Sequence, residues 1–337
     1  FRVMSKPFRF KHFSVAQESL LSYGIYYVPP KTFSLISVLS LSVPLLIILN
    51  IIFVVFWLLK LKKQLILSLL ILAVGYNYVA SFYKFSSQES SNLEDTFTLM
   101  SYNVRLFNLY DWIKEDSIPS KIQNFITEEA PSILCFQEYD SSAGLDFRSY
   151  DYKHQTNTSN NKSELAIFST YKILNSGFIN FSNSANSAIY ADVLIKSDTI
   201  RVYNVHLQSS GINPNVESLD KEQSNRLLKR LGITFKAQQL QAELVVDHVA
   251  KSPHKVLMSG DFNNTVYSYV YRVLKGDLVD AFDVSGNGFG RTFNFRYFPV
   301  RIDFILADER FKVESFQNYS VPYSDHYPIL SQFSLDK

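Results

Sequence analysis

Cysteine is almost missing from this chain: Cys135 is the only one among 337 residues. A single thiol excludes an intramolecular disulfide and every cysteine-paired metal site. Cys135 sits in the apolar run SILCF and reads as a small core residue. Glycine and proline are sparse at 11 each, and no repeat or low-complexity tract appears. With 47% hydrophobic residues, this composition excludes disorder and repeat architectures. The length suits one large domain or two ordinary ones.

Charge is missing from two long stretches. Residues 32–59 are 28 residues without a charge, and residues 64–83 are 20 more. Both exceed the roughly 18 residues that suggest a membrane helix. The short basic link KLKK, residues 60–63, joins them, so the pattern predicts a transmembrane hairpin over 32–83. Residues 1–31 form a basic segment that reads as a weak span or an interfacial helix, with Glu18 inside it. Placing Lys60, Lys62 and Lys63 in the cytoplasm puts the C-terminal part outside it. The expected location is therefore a multi-pass membrane protein with an extracytoplasmic domain.

Basic excess is missing from the remainder. Residues 1–95 carry 9 Lys+Arg and 4 Asp+Glu, which leaves 24 basic and 27 acidic residues beyond them. A net charge of −3 there argues against a broad electrostatic grip on nucleic acid.

Residues 84–96 are polar and serine-rich and read as a linker. A domain over 97–337 follows. Seven apolar, β-branched runs within it predict strands: 97–104, 132–139, 164–170, 188–195, 200–207, 255–262 and 301–308. Ile118, Ile122, Phe125 and Ile126 share one helical face, as do Leu240, Leu244, Val245 and Val249. Strands covered by helices predict a layered α/β or α+β domain of two packed sheets. Residues 209–232 read as a long polar loop bordering the cleft, and 286–295 as a glycine-rich rim with Arg291 or Thr292 near substrate.

What these runs do carry is polar chemistry at their ends. They supply Asn103; Gln137 and Glu138; Asn204 and His206; Asp261, Asn263 and Asn264; Asp303 inside RIDFIL; and Asp325 and His326 in YSDHYPIL. Any one is explained by a strand-end turn or a satisfied core histidine. Six together are not, and a carboxylate between Ile302 and Phe304 needs a partner. Carboxylates and amides without cysteine form a hard oxygen site suited to Mg²⁺ or Mn²⁺. An Asp–His pair orients an imidazole and stabilises its protonated form. A further Asp beside an amide can take a proton from water. Cation, imidazolium and amides together would stabilise a pentacoordinate phosphate.

The ordered series N, QE, YNVHL, GDFN, RIDFIL, SDHYPI resembles the endonuclease/exonuclease/phosphatase superfamily, the DNase-I-like fold, over about residues 96–337. The resemblance implies a four-layered α/β sandwich, two central mixed β-sheets flanked by helices, here preceded by N-terminal transmembrane helices. It places Glu138, Asn103 and Asp325 at a divalent cation, Mg²⁺ or Mn²⁺. Asp261 would orient or deprotonate the nucleophilic water, and Asp303 would pair with His326. His206, Asn204, Asn263 and Arg105 would meet the substrate phosphate. Arg105 stands where some members carry a metal-binding acid. The YNVHL histidine resembles the sphingomyelinase, inositol-phosphatase and deadenylase side of the superfamily. The implied activity is a membrane-anchored, metal-dependent phosphoesterase of membrane-anchored bacterial type, acting on a lipid head group, nucleic acid or small phosphoester, with no obligate protein partner implied. A nuclease and a non-catalytic binding domain are the alternatives.

Overall fold

Buried polar backbone has to be paired, and in this chain the apolar runs pair as two sheets. The computed structural model describes residues 5–85, 95–156, 163–211, 221–296 and 298–335. Among these residues twelve strands form: β1 (Thr96–Asn103), β2 (Ile133–Tyr139), β3 (Tyr152–Gln155), β4 (Glu164–Ser169), β5 (Ile173–Asn180), β6 (Ser187–Ile195), β7 (Asp198–His206), β8 (Lys255–Asp261), β9 (Val279–Asp280), β10 (Asp303–Ala307), β11 (Phe311–Asn318) and β12 (Ile329–Leu335). One sheet has the order β11-β12-β1-β2-β4-β3, the other β5-β6-β7-β8-β10-β9. Each is mixed. The pairs β1–β2 and β7–β8 are parallel, and the remaining pairs are antiparallel.

The sheets face each other across an apolar layer. Leu99, Ile133, Cys135 and Ile167 meet Ile189, Val193, Val202, Leu257 and Ile305 there, all fully buried. Each such aliphatic side chain contributes about 1.5–3 kcal/mol. Helix Ile118–Glu129 covers the outer face of the first sheet with Ile118, Ile122, Phe125 and Ile126, the face its spacing predicts. Pro119 opens that helix. Ala130, at φ 41°, closes it by donating its N–H to the Ile126 carbonyl at 2.9 Å, and Pro131 follows. The end of helix Lys221–Val249 covers the second sheet, where Ala242 and Val245 are buried and the Tyr203 hydroxyl meets His248 Nδ1 at 2.8 Å. Two mixed sheets flanked by helices make the α/β sandwich.

This topology gathers the polar strand ends. In each parallel pair both C-terminal ends lie at one edge, and the antiparallel neighbours begin at that same edge. Asn103 is therefore opposite Gln137, His206 opposite Asp261, and Asp261 opposite Asp303. The loop that leads into β12 carries Asp325 and His326 to the end of β1.

Two compact units partition the chain. The first holds the N-terminal helices, the early part of helix Lys221–Val249 and Thr265–Arg272; the second holds both sheets. Within the first, one helical stretch among the described residues is long and apolar enough to cross a membrane: Ser34–Leu59, 26 residues whose most apolar 18-residue window has mean hydropathy 2.8. The expected second span does not form. Residues 64–83 instead give a 10-residue helix, Leu65–Val74, and a short one, Tyr76–Ala80. Ten residues reach about 15 Å, half of a hydrocarbon core. The break has a cause at Gly75, where a Cβ would lie 2.3 Å from the Tyr23 ring. The basic segment is helical, Ser5–Ile25. Polar groups tie these helices internally: Trp57 Nε1 donates to His12 Nδ1 at 3.0 Å, His12 Nε2 meets Ser68 Oγ at 2.7 Å, and Asn50 Nδ2 donates to Ser19 Oγ at 2.8 Å.

The expected loop 209–232 is also corrected. Residues 212–220 lie outside the described residues, and from Lys221 the chain is helical. Leu231 and Phe235 of that helix bury against Val38, a partner nearly two hundred residues upstream. Most of the expected linker, residues 86–94, lies outside the described residues.

Candidate active site

Backbone geometry sets the site before any side chain does. Gly260 has φ 141°, and a Cβ there would lie 1.9 Å from the Val205 carbonyl oxygen. Only glycine lets β8 approach β7 this closely, which brings Asp261 beside His206. Glu138 has φ 49° at an irregularity in the β2–β4 pairing, so its side chain turns from the sheet toward the strand ends. Asn263 has φ 50°. Each left-handed residue costs about 1–2 kcal/mol, and such positions concentrate where geometry serves a site.

Asp261 is the centre. Its Oδ1 accepts from the Asn263 backbone N–H at 2.8 Å. Its Oδ2 accepts from Asn103 Nδ2 and Asn263 Nδ2, both at 3.1 Å. His206 Nε2 lies 3.6 Å and His326 Nε2 3.7 Å from the same oxygen. Burial, reinforced by the neighbouring Asp303 charge, pushes the Asp261 carboxyl up to about 7, against the pull of His326. Asn103 Nδ2 also reaches Glu138 Oε1 at 3.3 Å, so one amide bridges the two carboxylates. Burial raises the Glu138 carboxyl above its ordinary value as well.

His326 is held by Asp303, whose Oδ1 and Oδ2 lie 3.1 and 3.0 Å from His326 Nδ1. Burial alone would lower the imidazole, but the Asp303 and Asp261 charges outweigh it and lift His326 to about 10. It is an imidazolium at neutral pH. His206 is the reverse: burial, then repulsion from His326, pushes it down to about 3, and it stays neutral. Its Nε2 is buried, without a hydrogen-bond partner among the described residues.

A buried group of carboxylates and one bare imidazole nitrogen is short of positive charge. Glu138 Oε1, Asp261 Oδ2 and His206 Nε2 converge, with Glu138 4.0 Å and Asp261 3.6 Å from that nitrogen. Oxygen donors dominate and thiolates are absent, so the residues fit a hard divalent cation. Asp261, Asp303 and His326 also place donor atoms within 4.8 Å of one another. That group suits an ion less well, because His326 Nδ1 is committed to Asp303 and its ring is charged.

The strand ends thus bring together Asn103, Glu138, His206, Asp261, Asn263, Asp303 and His326. Asp325 is adjacent, ion-paired to Arg105 Nη1 at 3.2 Å. Asn204 is placed differently from expectation. It is fully buried, its Nδ2 donates to the carbonyls of Phe136 and Ala166 at 2.8 and 3.0 Å, and its Oδ1 accepts from Gln137 Nε2 at 2.7 Å. Those bonds cross from one sheet to the other, so Asn204 clamps the sandwich and offers nothing to a phosphate. Asn263 gives both amide protons within the protein, to Asp261 and to the Leu207 carbonyl at 3.0 Å. Thr292, expected near substrate, is fully buried; its Oγ1 accepts from the N–H groups of Ile302 and Asp303 at 3.0 and 3.1 Å. Its carbonyl accepts from the Tyr327 N–H at 2.7 Å, so it fixes both halves of the Asp303–His326 pair. Arg291 is exposed and stacks over Tyr327 at 4.8 Å.

Sequence reasoning missed Ser324, whose Oγ donates to the Asn103 carbonyl at 2.8 Å and accepts from the His326 N–H at 3.2 Å. Its signal was the hydroxyl two residues before the histidine in YSDH, a local turn pattern.

Comparison with known proteins agrees with this geometry. Residues 100–326 match the model of the Endonuclease/Exonuclease/phosphatase family. The chain belongs to that family. Residues 6–82 match a domain of unknown function, DUF8431. No curated protein matches the chain. Among solved structures, D. rerio TDP2 complexed with single strand DNA product is 16% identical, with 72% of this chain and 100% of that one covered, at a TM-score of 0.55. An endonuclease/exonuclease/phosphatase family protein from Bacteroides thetaiotaomicron is 18% identical over 73% of this chain and 100% of that one, TM-score 0.55. The human Nocturnin catalytic domain with bound sulfate anion is 17% identical over 73% and 96%, TM-score 0.54. At these identities the likeness is one of fold.

Proposed function

We propose that this chain is a membrane-attached, divalent-cation-dependent phosphoesterase that hydrolyses a phosphoester by in-line attack of water. One observation carries the reading: a buried Asp261 bridged by Asn103 to Glu138, facing a neutral His206 and a protonated His326. Structural packing has no use for three carboxylates and two imidazoles gathered at the ends of four strands and in the loop before β12.

Glu138 would hold the cation, Mg²⁺ or Mn²⁺, with Asn103 beside it and Asp325 nearby, and Asp261 stays free to face the water. The cation would neutralise phosphate charge. Asp261, raised toward neutrality, takes the proton of the attacking water as its oxygen bonds phosphorus. The bond from phosphorus to the leaving oxygen breaks, and that oxygen collects a proton from solvent. The His326 imidazolium, fixed by Asp303, stabilises the charge that gathers on the phosphoryl oxygens. His206 stays neutral and offers a ring edge to the same group. Arg105 supplies a further cation for substrate if Asp325 is drawn elsewhere. Asn263 reaches a phosphate only by releasing Leu207 or Asp261, so its role is to hold Asp261.

Membrane attachment rests on the N-terminal unit. Less than half of the most apolar window of Ser34–Leu59 is buried, and Leu39, Leu45, Ile51, Ile52 and Val55 within that helical stretch are exposed, more apolar surface than a core helix of a soluble protein leaves to water. Phe10, Leu59, Leu61 and Val74 are 69–86% exposed, while His12, Asn50 and Ser68 are buried. Apolar outside and hydrogen-bonded inside is the arrangement of helices in lipid. An extracytoplasmic catalytic domain required a second crossing, and Gly75 interrupts that stretch.

A nuclease is the second reading, favoured by the single strand DNA product held by D. rerio TDP2. The −3 balance beyond residue 95 weighs against a polymeric anion.

The full chain in detergent tests both. A chromogenic phosphodiester, a monoester and single-stranded DNA are offered with Mg²⁺, with Mn²⁺ and with chelator. The proposal expects chelator-sensitive turnover of an ester and weak, strongly salt-dependent action on DNA. Turnover insensitive to chelator, or none with either cation, contradicts it.

A further inference from the structure

Just past Asn103 the backbone turns left-handed for four residues in succession, at Arg105 (φ 45°), Leu106 (52°), Phe107 (51°) and Asn108 (64°), and again at Asp111 (51°). None is glycine, so the conformation is costly at every step and has to be imposed by its surroundings. The imposing contacts are visible. Phe107 is buried against Phe136 and Tyr139, with ring centres 5.8 and 5.5 Å away. The Asn108 side chain accepts from the Ile113 N–H at 2.9 Å and donates to the Ile113 carbonyl at 2.8 Å. That closes 108–113 into a rigid loop.

The tip of this loop is aromatic and exposed: Tyr110 is 61% and Trp112 42% accessible. Their rings meet edge to face at 5.1 Å. Trp112 is stacked by the Arg105 guanidinium at 4.3 Å, and Arg105 in turn pairs with Asp325 at 3.2 Å and donates its N–H to Asn103 Oδ1 at 3.1 Å. Two large aromatic rings are thus held in water, on a strained and clamped loop, two contacts from the residue beside His326. Water-exposed tryptophan held rigidly is a binding surface rather than a packing element.

We infer that Trp112, with Tyr110, is the subsite for a planar aromatic group carried by the phosphoester, which makes nucleoside phosphates rather than lipid head groups the substrate class. The inference rests on the phosphoesterase reading above. Flat rings recognise flat rings by stacking, and a nucleobase is the common planar group joined to a phosphate. Arg105 lies between the rings and Asp325, where it meets the phosphate end. The loop's exposed charges are Asp111, Lys114, Glu115 and Asp116, three acids against one base. Glu115 is paired to Lys121, so the loop presents no run of basic residues to hold an anionic membrane surface or a long polyanion, while the single Arg105 guanidinium suffices for the phosphate of a small nucleotide.

Intrinsic fluorescence gives a test that needs no turnover. The chain has two tryptophans, and Trp57 is buried, so a Trp57→Phe variant of the full chain reports Trp112 alone. Adenosine 5′-monophosphate and ribose 5-phosphate are titrated in parallel. The inference predicts saturable quenching by the nucleotide and weak binding of the base-free phosphate. It further predicts that Trp112→Leu raises KM for a nucleoside phosphodiester by about 5- to 150-fold, the range of one stacked base. A phosphodiester with an aliphatic leaving group should lose far less, only what the Trp112 stack on Arg105 contributes. Equal binding of the two phosphates, or the same effect of Trp112→Leu on both esters, overturns it while leaving the phosphoesterase reading intact. Failure to bind or hydrolyse any phosphoester would remove both.

Discussion

His326 Nδ1 sits between the two carboxylate oxygens of Asp303, 3.1 and 3.0 Å away, and both residues are buried. The pair joins segments 23 residues apart. It keeps a charged ring at Asp261, 3.7 Å away. Asp303→Asn preserves shape and removes the charge that stabilises the imidazolium. The expected result is a fall in kcat of about 10²–10⁴-fold with little change in KM, read by steady-state kinetics. An unchanged kcat would mean that the pair is only structural.

Thr292 positions that pair without touching substrate. Thr292→Val removes the acceptor of two buried N–H groups, those of Ile302 and Asp303, at a cost of about 1–3 kcal/mol each. Denaturant unfolding should show the loss, and kcat should fall well below what reduced folding explains. Thr292→Ser keeps the oxygen and should restore most of both.

Gly260→Ala forces a Cβ to 1.9 Å from a carbonyl oxygen that cannot move without breaking the β7–β8 pairing. With an unfavourable φ added, about 3 kcal/mol or more of stability should be lost. A thermal midpoint near that of wild type would show that the two strands separate more easily than the structure implies.

Acid stability should depend on Asp192. Burial raises its carboxyl, but the Arg201 guanidinium, with Nε and Nη2 at 2.6 and 2.7 Å, and Asn175 outweigh this and hold it below the usual range. A depressed carboxyl contributes stability that is present above its unfolded value of about 3.9 and lost as pH falls through the folded one. Unfolding followed from pH 7 downward should therefore show wild type losing stability below about pH 4. Asp192→Asn should be destabilised at pH 7, since Arg201 is left buried without its charge partner, and should lose less on acidification.

Much of the site was legible because its residues end apolar runs: Asn103, Glu138, His206, Asp261 and Asp303 each follow or open a strand whose composition is plain. The roles of amides were not. Asn204 and Asn263 read as phosphate contacts, but an amide's choice between substrate and backbone depends on neighbours from other strands, here Phe136, Ala166 and Leu207. Five strands escaped notice. Four of them, β3, β5, β9 and β11, lie at sheet edges, where one face is wet and the sequence alternates or turns polar, as in YKHQ and FKVESFQN. The fifth, β12, hides its pattern behind Ser331, Gln332 and Ser334. The second membrane span looked sound because hydropathy counts residues and does not register a tyrosine ring pressed on Gly75. The start of helix Lys221–Val249 was hidden for a similar reason, since the partner of Phe235 is Val38.

The most direct test compares wild type with Asp261→Asn for single-turnover hydrolysis of a chromogenic phosphodiester, in Mg²⁺ and after chelation, while calorimetry follows cation binding. The account predicts rapid turnover by wild type in Mg²⁺ and almost none after chelation. Asp261→Asn should remain folded, still bind the cation and lose at least about 10²-fold in rate. Undiminished hydrolysis by a folded Asp261→Asn protein would contradict it.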